Sequence, residues 1–287
     1  MTELPLVSVL MTSYNREKYI AEAIDSVLDS TYSNFELIIV DDVSLDNTVA
    51  IARNYEKKDN RVKVYINEIN LGDYPNRNQA ASYATGEYIM YVDSDDKLLR
   101  NGIENIMQVL QKHPEANFGI CTLHEIGEEP KLLKPEDSIY SHFFKFNFLT
   151  VGPGGTILKR EFFNSINKYP VKYGPANDQY FNLKVTTNSA IVTLPFEFLF
   201  YRRHEGQEIN NRYSYLYNNY KYLRDAIVEL NLPLDAKTLH YLNNKNKRRF
   251  LINIFKYFLK TLNLKKTIYA IKQAQFSASD FKKALIH

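Results

Sequence analysis

Residues 6–122 alternate between two hydrophobic periods, and this alternation restricts the fold more than any other feature. Leu6-Val7-Ser8-Val9-Leu10-Met11 is a short, β-rich apolar run, the pattern of a strand buried on both faces. Ile20, Ala23, Ile24, Val27 and Leu28 then fall on one face at helical spacing. Further strands are predicted at Phe35–Val40, Val62–Ile66, Glu87–Val92 and Phe118–Thr122. Helices are predicted across about 47–58, 76–84 and 101–112, the second of them ending before Gly86. Strands alternating with helices build βαβ units, so the expectation is an α/β fold around a mostly parallel sheet.

The order breaks down after residue 123. Residues 125–160 hold Gly, Pro, Lys and Glu clusters and read as loops with irregular strands beside the sheet. Ile191 to Tyr201 reads as a strand region interrupted by Pro195. From about Asn210 the pattern turns helical, and these helices are expected to pack on the main domain. An apolar share of 45% with 24% charged residues excludes collagen-like and wholly disordered chains. A single cysteine, Cys121, excludes an intrachain disulfide framework and a multi-cysteine zinc site. Met1 to Pro5 lacks the charged and apolar regions of a signal peptide, and no run of 18 apolar residues exists. The expected address is cytoplasmic, in a cell that keeps thiols reduced.

The net charge of +3 conceals an asymmetry. Residues 237–287 hold 12 Lys or Arg and one acid, Asp280, a net +11, which leaves residues 1–236 at −8. Lys245-Asn246-Lys247-Arg248-Arg249 leads into Phe250-Leu251-Ile252-Asn253-Ile254-Phe255-Lys256-Tyr257-Phe258-Leu259-Lys260, where lysines interleave with large apolar residues. Two readings fit: an amphipathic helix lying on an anionic membrane surface, or a helix packed on the domain with a solvated basic face. No nucleic-acid-binding motif accompanies the charge, so a nucleic-acid partner is not expected.

In open α/β sheets ligands bind outside the carboxyl ends of the strands. The first predicted strand ends in Thr12-Ser13-Tyr14-Asn15, the second in Asp41-Asp42 and the fourth in Asp93-Ser94-Asp95-Asp96. With 15 Asp in the chain, one chance D-x-D is roughly an even bet, so position carries the information. This one follows an apolar strand and is expected to precede a helix, where capping also favours Asp. Three acids in four residues exceed what capping needs, and their repulsion calls for a divalent cation. Oxygen ligands suit Mg²⁺ or Mn²⁺ rather than zinc. No G-x-G-x-x-G follows the first strand and no P-loop motif occurs, which disfavours dinucleotide oxidoreductases and P-loop nucleotidases.

The segment Val7-Ser8-Val9-Leu10-Met11-Thr12-Ser13-Tyr14-Asn15 resembles the opening of family 2 glycosyltransferases, which have the GT-A fold. Phe35 to Asp42, Asn70-Leu71-Gly72, Asn76-Arg77-Asn78, Ala84 to Ile89 and Val92-Asp93-Ser94-Asp95-Asp96 resemble successive elements of that family, in order. The resemblance is dense over about 6–112, thins up to His204 and is absent from the C-terminal region. It implies a GT-A (nucleotide-diphospho-sugar transferase) fold plus a C-terminal helical extension. The implied division is 1–206 for the glycosyltransferase domain, with 1–112 binding nucleotide-sugar and 113–206 the acceptor, and 207–287 for the basic helical region.

The resemblance also implies roles. Thr12 and Tyr14 would line the nucleoside pocket, and Asp42 would accept the N3–H of uracil. Arg77 would sit near the base or diphosphate. Asp95 would lie by ribose and metal, Asp96 would be the main metal ligand, and Asp93 would touch the metal directly or through one of its other ligands. An inverting transfer needs a carboxylate to take the acceptor's proton. The family presents an acidic pair at a helix start; here Pro175-Ala176-Asn177-Asp178 occupies the place, leaving Asp178 as the base. Tyr201-Arg202-Arg203-His204 resembles a later signal, with His204 a metal ligand or a loop residue ordered by donor. Gly152-Pro153-Gly154-Gly155 would let backbone approach acceptor or sugar, or form a plain turn.

Two departures stand out: Val43 follows the paired Asp where the family has a small residue, often Gly, and Asn177 replaces an acid. The implied activity is metal-dependent, inverting transfer from a nucleotide-sugar, with a UDP-sugar the expected donor, to a glycan or lipid-linked saccharide of a bacterial surface polysaccharide. The cofactor is Mn²⁺ or Mg²⁺, and the location is the cytoplasm or the inner face of its membrane. Alternatives are a non-catalytic carbohydrate- or nucleotide-binding module on the same fold, a nucleotidyltransferase, or a basic adaptor centred on 237–287.

Overall fold

The computed structural model describes residues 4–123, 125–205, 207 and 212–286. The expected boundary at 206/207 and the start of the helical pattern at Asn210 fall on or beside residues outside that set. The first half follows the periodicity. β1 (Val7–Ser13), α1 (Ile20–Leu28), β2 (Phe35–Asp41), α2 (Thr48–Glu56), β3 (Val62–Ile66), α3 (Asp73–Tyr83) and β4 (Tyr88–Tyr91) alternate in order. β5 (Lys97–Leu98), α4 (Gly102–Lys112), β6 (Phe118–Cys121), β7 (Leu132–Leu133), α5 (Pro135–Phe144) and β8 (Thr156–Lys159) follow. The chain continues through α6 (Arg160–Ser165), α7 (Asn177–Asn188), β9 (Ile191–Leu194) and β10 (Leu199–Phe200). It closes with α8 (Arg212–Glu229), α9 (Ala236–Thr261), α10 (Leu264–Ala274) and α11 (Ala278–Ile286).

Eight strands form one sheet in the order β3-β2-β1-β4-β8-β6-β9-β7, and β5 pairs with β10 in a second, two-stranded sheet. Four of the seven pairings in the large sheet are parallel. The other three are antiparallel. Residues of β1 and β2 alternate between two cores, as strands covered on both faces must. Val9, Met11, Leu37 and Ile39 face α1 and α4, where Ile24, Val27, Ile106 and Leu110 meet them. Leu10, Ile38 and Val40 face the opposite side, with Ala80 of α3, Phe181 of α7 and Ala226 of α8. Each large side chain buried in these cores contributes about 1.5–3 kcal/mol.

Two expectations are corrected. The acids at 93–96 do not run directly into a helix: β5 intervenes and pairs Leu98 with Leu199. Two residues carry no readable period, so only the distant partner makes this a strand. Residues 125–160 are not only loops with irregular strands beside the sheet, because they contain the helix α5, and β8 lies inside the sheet between β4 and β6. Its four residues are too few to separate strand from helix by pattern. Gly119 makes the close approach possible, since a Cβ there would lie 2.9 Å from Ile157 Cγ2.

The C-terminal helices pack on the rest of the chain through α8. Tyr222 and Ala226 of α8 belong to the second core. Tyr220 of the same helix belongs to a third core with Phe250, Ile254, Ala270 and Ala274.

Candidate functional site

β1 runs to β2 on one side and is flanked by β4 on the other, so the sheet's topological switch point lies at the carboxyl ends of β1 and β4. Ser94 Oγ donates to the Thr12 carbonyl at 2.8 Å and ties the two strand ends together. The turn closes with Asp96 N–H donating to the Asp93 carbonyl at 2.9 Å. This turn brings carboxylate oxygens of Asp93, Asp95 and Asp96 within 4.8 Å of one another.

Cationic groups and one backbone amide surround these acids. Arg77 grips Asp93 with both Nη atoms at 2.7 and 3.0 Å, and its Nε donates to Asp73 at 2.7 Å. Arg16 Nε donates to Asp95 Oδ2 at 3.0 Å, and His204 Nε2 lies 2.8 Å from the same oxygen. The Arg202 N–H donates to Asp96 Oδ1 at 2.9 Å. The Arg202 guanidinium instead reaches Glu22 at 3.0 Å and lies 4.9 Å from the Tyr19 ring, which stacks on His204. Burial, then the charges of Asp93 and Asp95, push the Asp96 carboxyl up to about 7 against the Arg202 amide. Burial also opposes the Arg77 charge, but Asp73 and Asp93 outweigh it and hold the guanidinium protonated. Three clustered carboxylates, one of them reluctant to ionise, make an oxygen-rich donor set that fits a hard divalent cation such as Mg²⁺ or Mn²⁺.

The residues expected at the nucleoside lie on adjacent strand ends. Thr12 closes toward Ser94, while the Tyr14 ring is 46% exposed at the mouth. Asp42 is buried and already holds the next loop. Its Oδ1 accepts Asn67 Nδ2 at 2.7 Å and the Leu71 N–H at 2.8 Å, and its Oδ2 accepts the Gly72 N–H at 2.8 Å. A carboxylate oxygen has two acceptor sites, so Oδ2 can take one further donor. Val43 sits at φ 67°, a left-handed conformation that costs a β-branched residue about 1–2 kcal/mol. That backbone accounts for a small residue being favoured here. Asn15, at φ 54°, is a residue that tolerates this region.

Asp178 stands in the first turn of α7. The Gln179 N–H donates to its Oδ1 at 2.7 Å, and its own N–H donates to the Tyr74 hydroxyl at 3.3 Å. Burial is the main cause that pushes its carboxyl up to about 7, with the Gln179 amide opposing. A Cβ on Gly152 would lie 3.7 Å from Asp178 Oδ2, so that glycine borders the space before the carboxylate. The N-cap position is Ala176, which has no capping side chain, so Asp178 Oδ1 serves one first-turn amide and Oδ2 is left for other work.

Asn177 is explained by its surroundings. Its Oδ1 accepts the Tyr173 N–H at 2.9 Å while its Nδ2 donates to the Gly174 carbonyl at 2.7 Å. A carboxylate can do the first and not the second. Asn177→Asp should therefore destabilise the protein by about 1–3 kcal/mol, the cost of an unsatisfied buried group. Equal denaturant midpoints for variant and wild type would show that the amide is not needed.

The structure thus gathers Arg77, Asp93, Asp95, Asp96 and His204 into one cluster and places Asp42 and Tyr14 on neighbouring loops. His204 reaches the cluster through Asp95. Sequence reasoning missed Arg16, which lies one residue past the strand-end segment it considered, and Tyr74 and Asp73, which carry no local motif. The first two turns of α3 connect both parts of the site: the Tyr74 hydroxyl accepts the Asp178 N–H, and Arg77 meets Asp93.

Comparison with known proteins bears on this arrangement. The sequence profile "Glycosyl transferase family 2" matches residues 8–166. An uncharacterized glycosyltransferase of Haemophilus influenzae is 36% identical over 140 residues, 47% of this chain and 55% of its own length, so the match spans about half of that relative. The UDP-Glc:alpha-D-GlcNAc-diphosphoundecaprenol beta-1,3-glucosyltransferase WfgD of Escherichia coli is 30% identical over 231 residues, covering 77% of this chain and 87% of that one. Among solved structures, S. aureus TarS 1-349 in complex with UDP superposes with a TM-score of 0.72 at 23% identity, over 97% of this chain and 80% of that one, a likeness of fold. With the profile matched over more than half of its length, and an acid cluster at the switch point of a GT-A-like sheet, the chain belongs to glycosyltransferase family 2.

Proposed function

We propose that this enzyme transfers a sugar with inversion from a UDP-sugar to a hydroxyl of a lipid-linked saccharide, in the synthesis of a bacterial surface polysaccharide. The observation that carries the reading is the bridge made by α3, which sets a buried, proton-hungry Asp178 at one end and the Asp93–Asp96 cluster at the other. WfgD, by its name, uses UDP-Glc and a diphosphoundecaprenol-linked acceptor, and TarS binds UDP. WfgD supports donor and acceptor of those classes here, and TarS supports the donor's nucleotide.

Residues 1–112 then bind the donor, 113–206 the acceptor, and 207–287 form the basic helical region. Thr12, Tyr14 and Asp42 receive the nucleoside, the last through the free acceptor site on Oδ2. Asp178 takes the proton of the acceptor hydroxyl as its oxygen bonds to the anomeric carbon and the bond from that carbon to UDP breaks. Arg77 holds Asp93 in place, and Arg16 and His204 orient Asp95. Asp93, Asp95 and Asp96, with His204 beside them, would hold a divalent cation, which would supply charge neutralisation at the departing diphosphate.

Calorimetric titration of UDP-, GDP- and dTDP-sugars, with Mn²⁺ and with chelator, tests the donor site. We expect metal-dependent binding of one UDP-sugar, and its loss in Asp96→Ala. A folded wild type that binds none of them would refute the transferase reading.

A further inference from the structure

The basic C-terminal region presents an apolar surface that the proposed chemistry does not use. Helices α9, α10 and α11 enclose an open groove of about 380 Å³, lined by Phe255, Phe258, Leu264, Ile271 and Phe281 among others. Phe255 is 59% exposed, and Leu259, on the adjoining face of α9, is 56% exposed. The turn joining α9 to α10 is Leu262-Asn263, and Leu264 opens α10; the two leucines are 74% and 59% exposed. Leu262 occupies a left-handed backbone at φ 50°, where Gly or Asn is the favoured helix stop. An aliphatic side chain at such a tip gains nothing from the fold beneath it.

The free charge on these three helices is of one sign. Lys256, Lys260, Lys265, Lys272, Lys282 and Lys283, carried by α9, α10 and α11, are all exposed. The one acid of the segment, Asp280, is held by Lys247 at 3.0 Å and by Ser277. An exposed apolar patch of this kind marks an interaction site. Exposed leucines and phenylalanines between lysines match the interfacial zone of an anionic bilayer, with acyl chains for the former and headgroup phosphates for the latter.

We propose that the tip at 262–264 and the groove behind it dock this protein on an anionic lipid bilayer. The purpose of that docking rests on the lipid-linked acceptor proposed above, because such an acceptor is presented at a membrane surface. The docking helices reach the site through α8, which packs against both the third core and the core that holds α7.

The test is flotation of the full chain, without donor or acceptor, with vesicles of phosphatidylcholine alone or mixed with phosphatidylglycerol. Wild type should float only with the anionic vesicles, and less as salt rises. Leu262→Ser with Leu264→Ser should abolish most of that binding. Lys256→Ala with Lys260→Ala should weaken it about thirty-fold, near five-fold per charge. UDP-sugar binding should be unchanged in both variants, which verifies that they fold. Absence of anionic-lipid-dependent flotation overturns the proposal, as does flotation that neither variant alters. A dimer seen by light scattering and abolished by the leucine substitutions assigns the surface to a second copy instead. Retention of an RNA oligomer without vesicle binding assigns it to nucleic acid. Normal flotation with no sugar transfer would overturn the proposed activity and leave the docking surface standing.

Discussion

Asp178→Asn should lower kcat by about 10²–10⁴-fold while leaving the affinity for donor and Mn²⁺ unchanged. The amide fills the same space and can still accept the Gln179 N–H that Asp178 Oδ1 accepts at 2.7 Å. What it lacks is the basicity to remove the acceptor's proton. The raised carboxyl adds a pH signature. Burial brings Asp178 to about 7, so the base form grows as pH rises through 7 and levels off above it. At saturating donor and metal, kcat of the wild type should rise about ten-fold per unit from pH 5 to 6.5 and flatten by pH 8. The rising limb should vanish in Asp178→Asn. Turnover within a few-fold of wild type by the folded variant would remove Asp178 from the chemistry. A flat wild-type profile would show that proton removal is not limiting.

Arg77→Met should be the most destabilising single change near the site, at about 3 kcal/mol. Arg77 is buried beneath the acids, with hydrogen bonds to Asp73 and Asp93 and the Tyr91 ring 5.5 Å away. Deleting one partner of a buried ion pair costs about 3–5 kcal/mol. The lower end applies because the Asp73 and Asp93 side chains keep 46% and 28% exposure, so water takes over part of the lost solvation. Methionine fills the stem's volume, which separates the charge effect from a cavity. Urea midpoints measured with chelator should show the loss. Excess Mn²⁺ should restore part of it, since a cation bound at Asp93, Asp95 and Asp96 neutralises one of the two carboxylates that Arg77 pairs with and stabilises the folded state by mass action. Equal midpoints without metal would mean that the acids do not depend on this guanidinium. Arg77→Lys should recover only part of the stability, because an ammonium cannot span both oxygens of Asp93 and reach Asp73.

The origin of each part of the site separates what is local from what is not. The ends of β1, β2 and β4 are legible because a strand buried on both faces is a contiguous apolar run, and its polar successor is the next residue along. Asp42, Asp93, Asp95 and Asp96 were found in this way. Asp178 was found through resemblance at a helix start, and its raised carboxyl was invisible until the residues that bury it were placed. Val43 departs from the small residue that the family has after the paired Asp. The structure relates it to a left-handed backbone that a smaller residue would adopt with less strain. Asn177 looked like a lost catalytic acid, and the structure gives its amide two partners that no carboxylate satisfies together.

The chain's own sequence therefore determined the alternating α/β half, the acids at its strand ends, the basic C-terminal segment and the family. All four are properties of neighbouring residues, or of motifs in a fixed order. The tertiary structure alone decided that β8 enters between β4 and β6 and that α5 fills a segment without clear period. It also decided that Arg16 and His204 meet on Asp95, which lies 79 residues from the first and 109 from the second. Hydrophobic period is written along the backbone, so it is readable before folding. An ion pair across such separations exists only once the sheet has brought the two strand ends and the later loop to one point, and no local pattern encodes that closure.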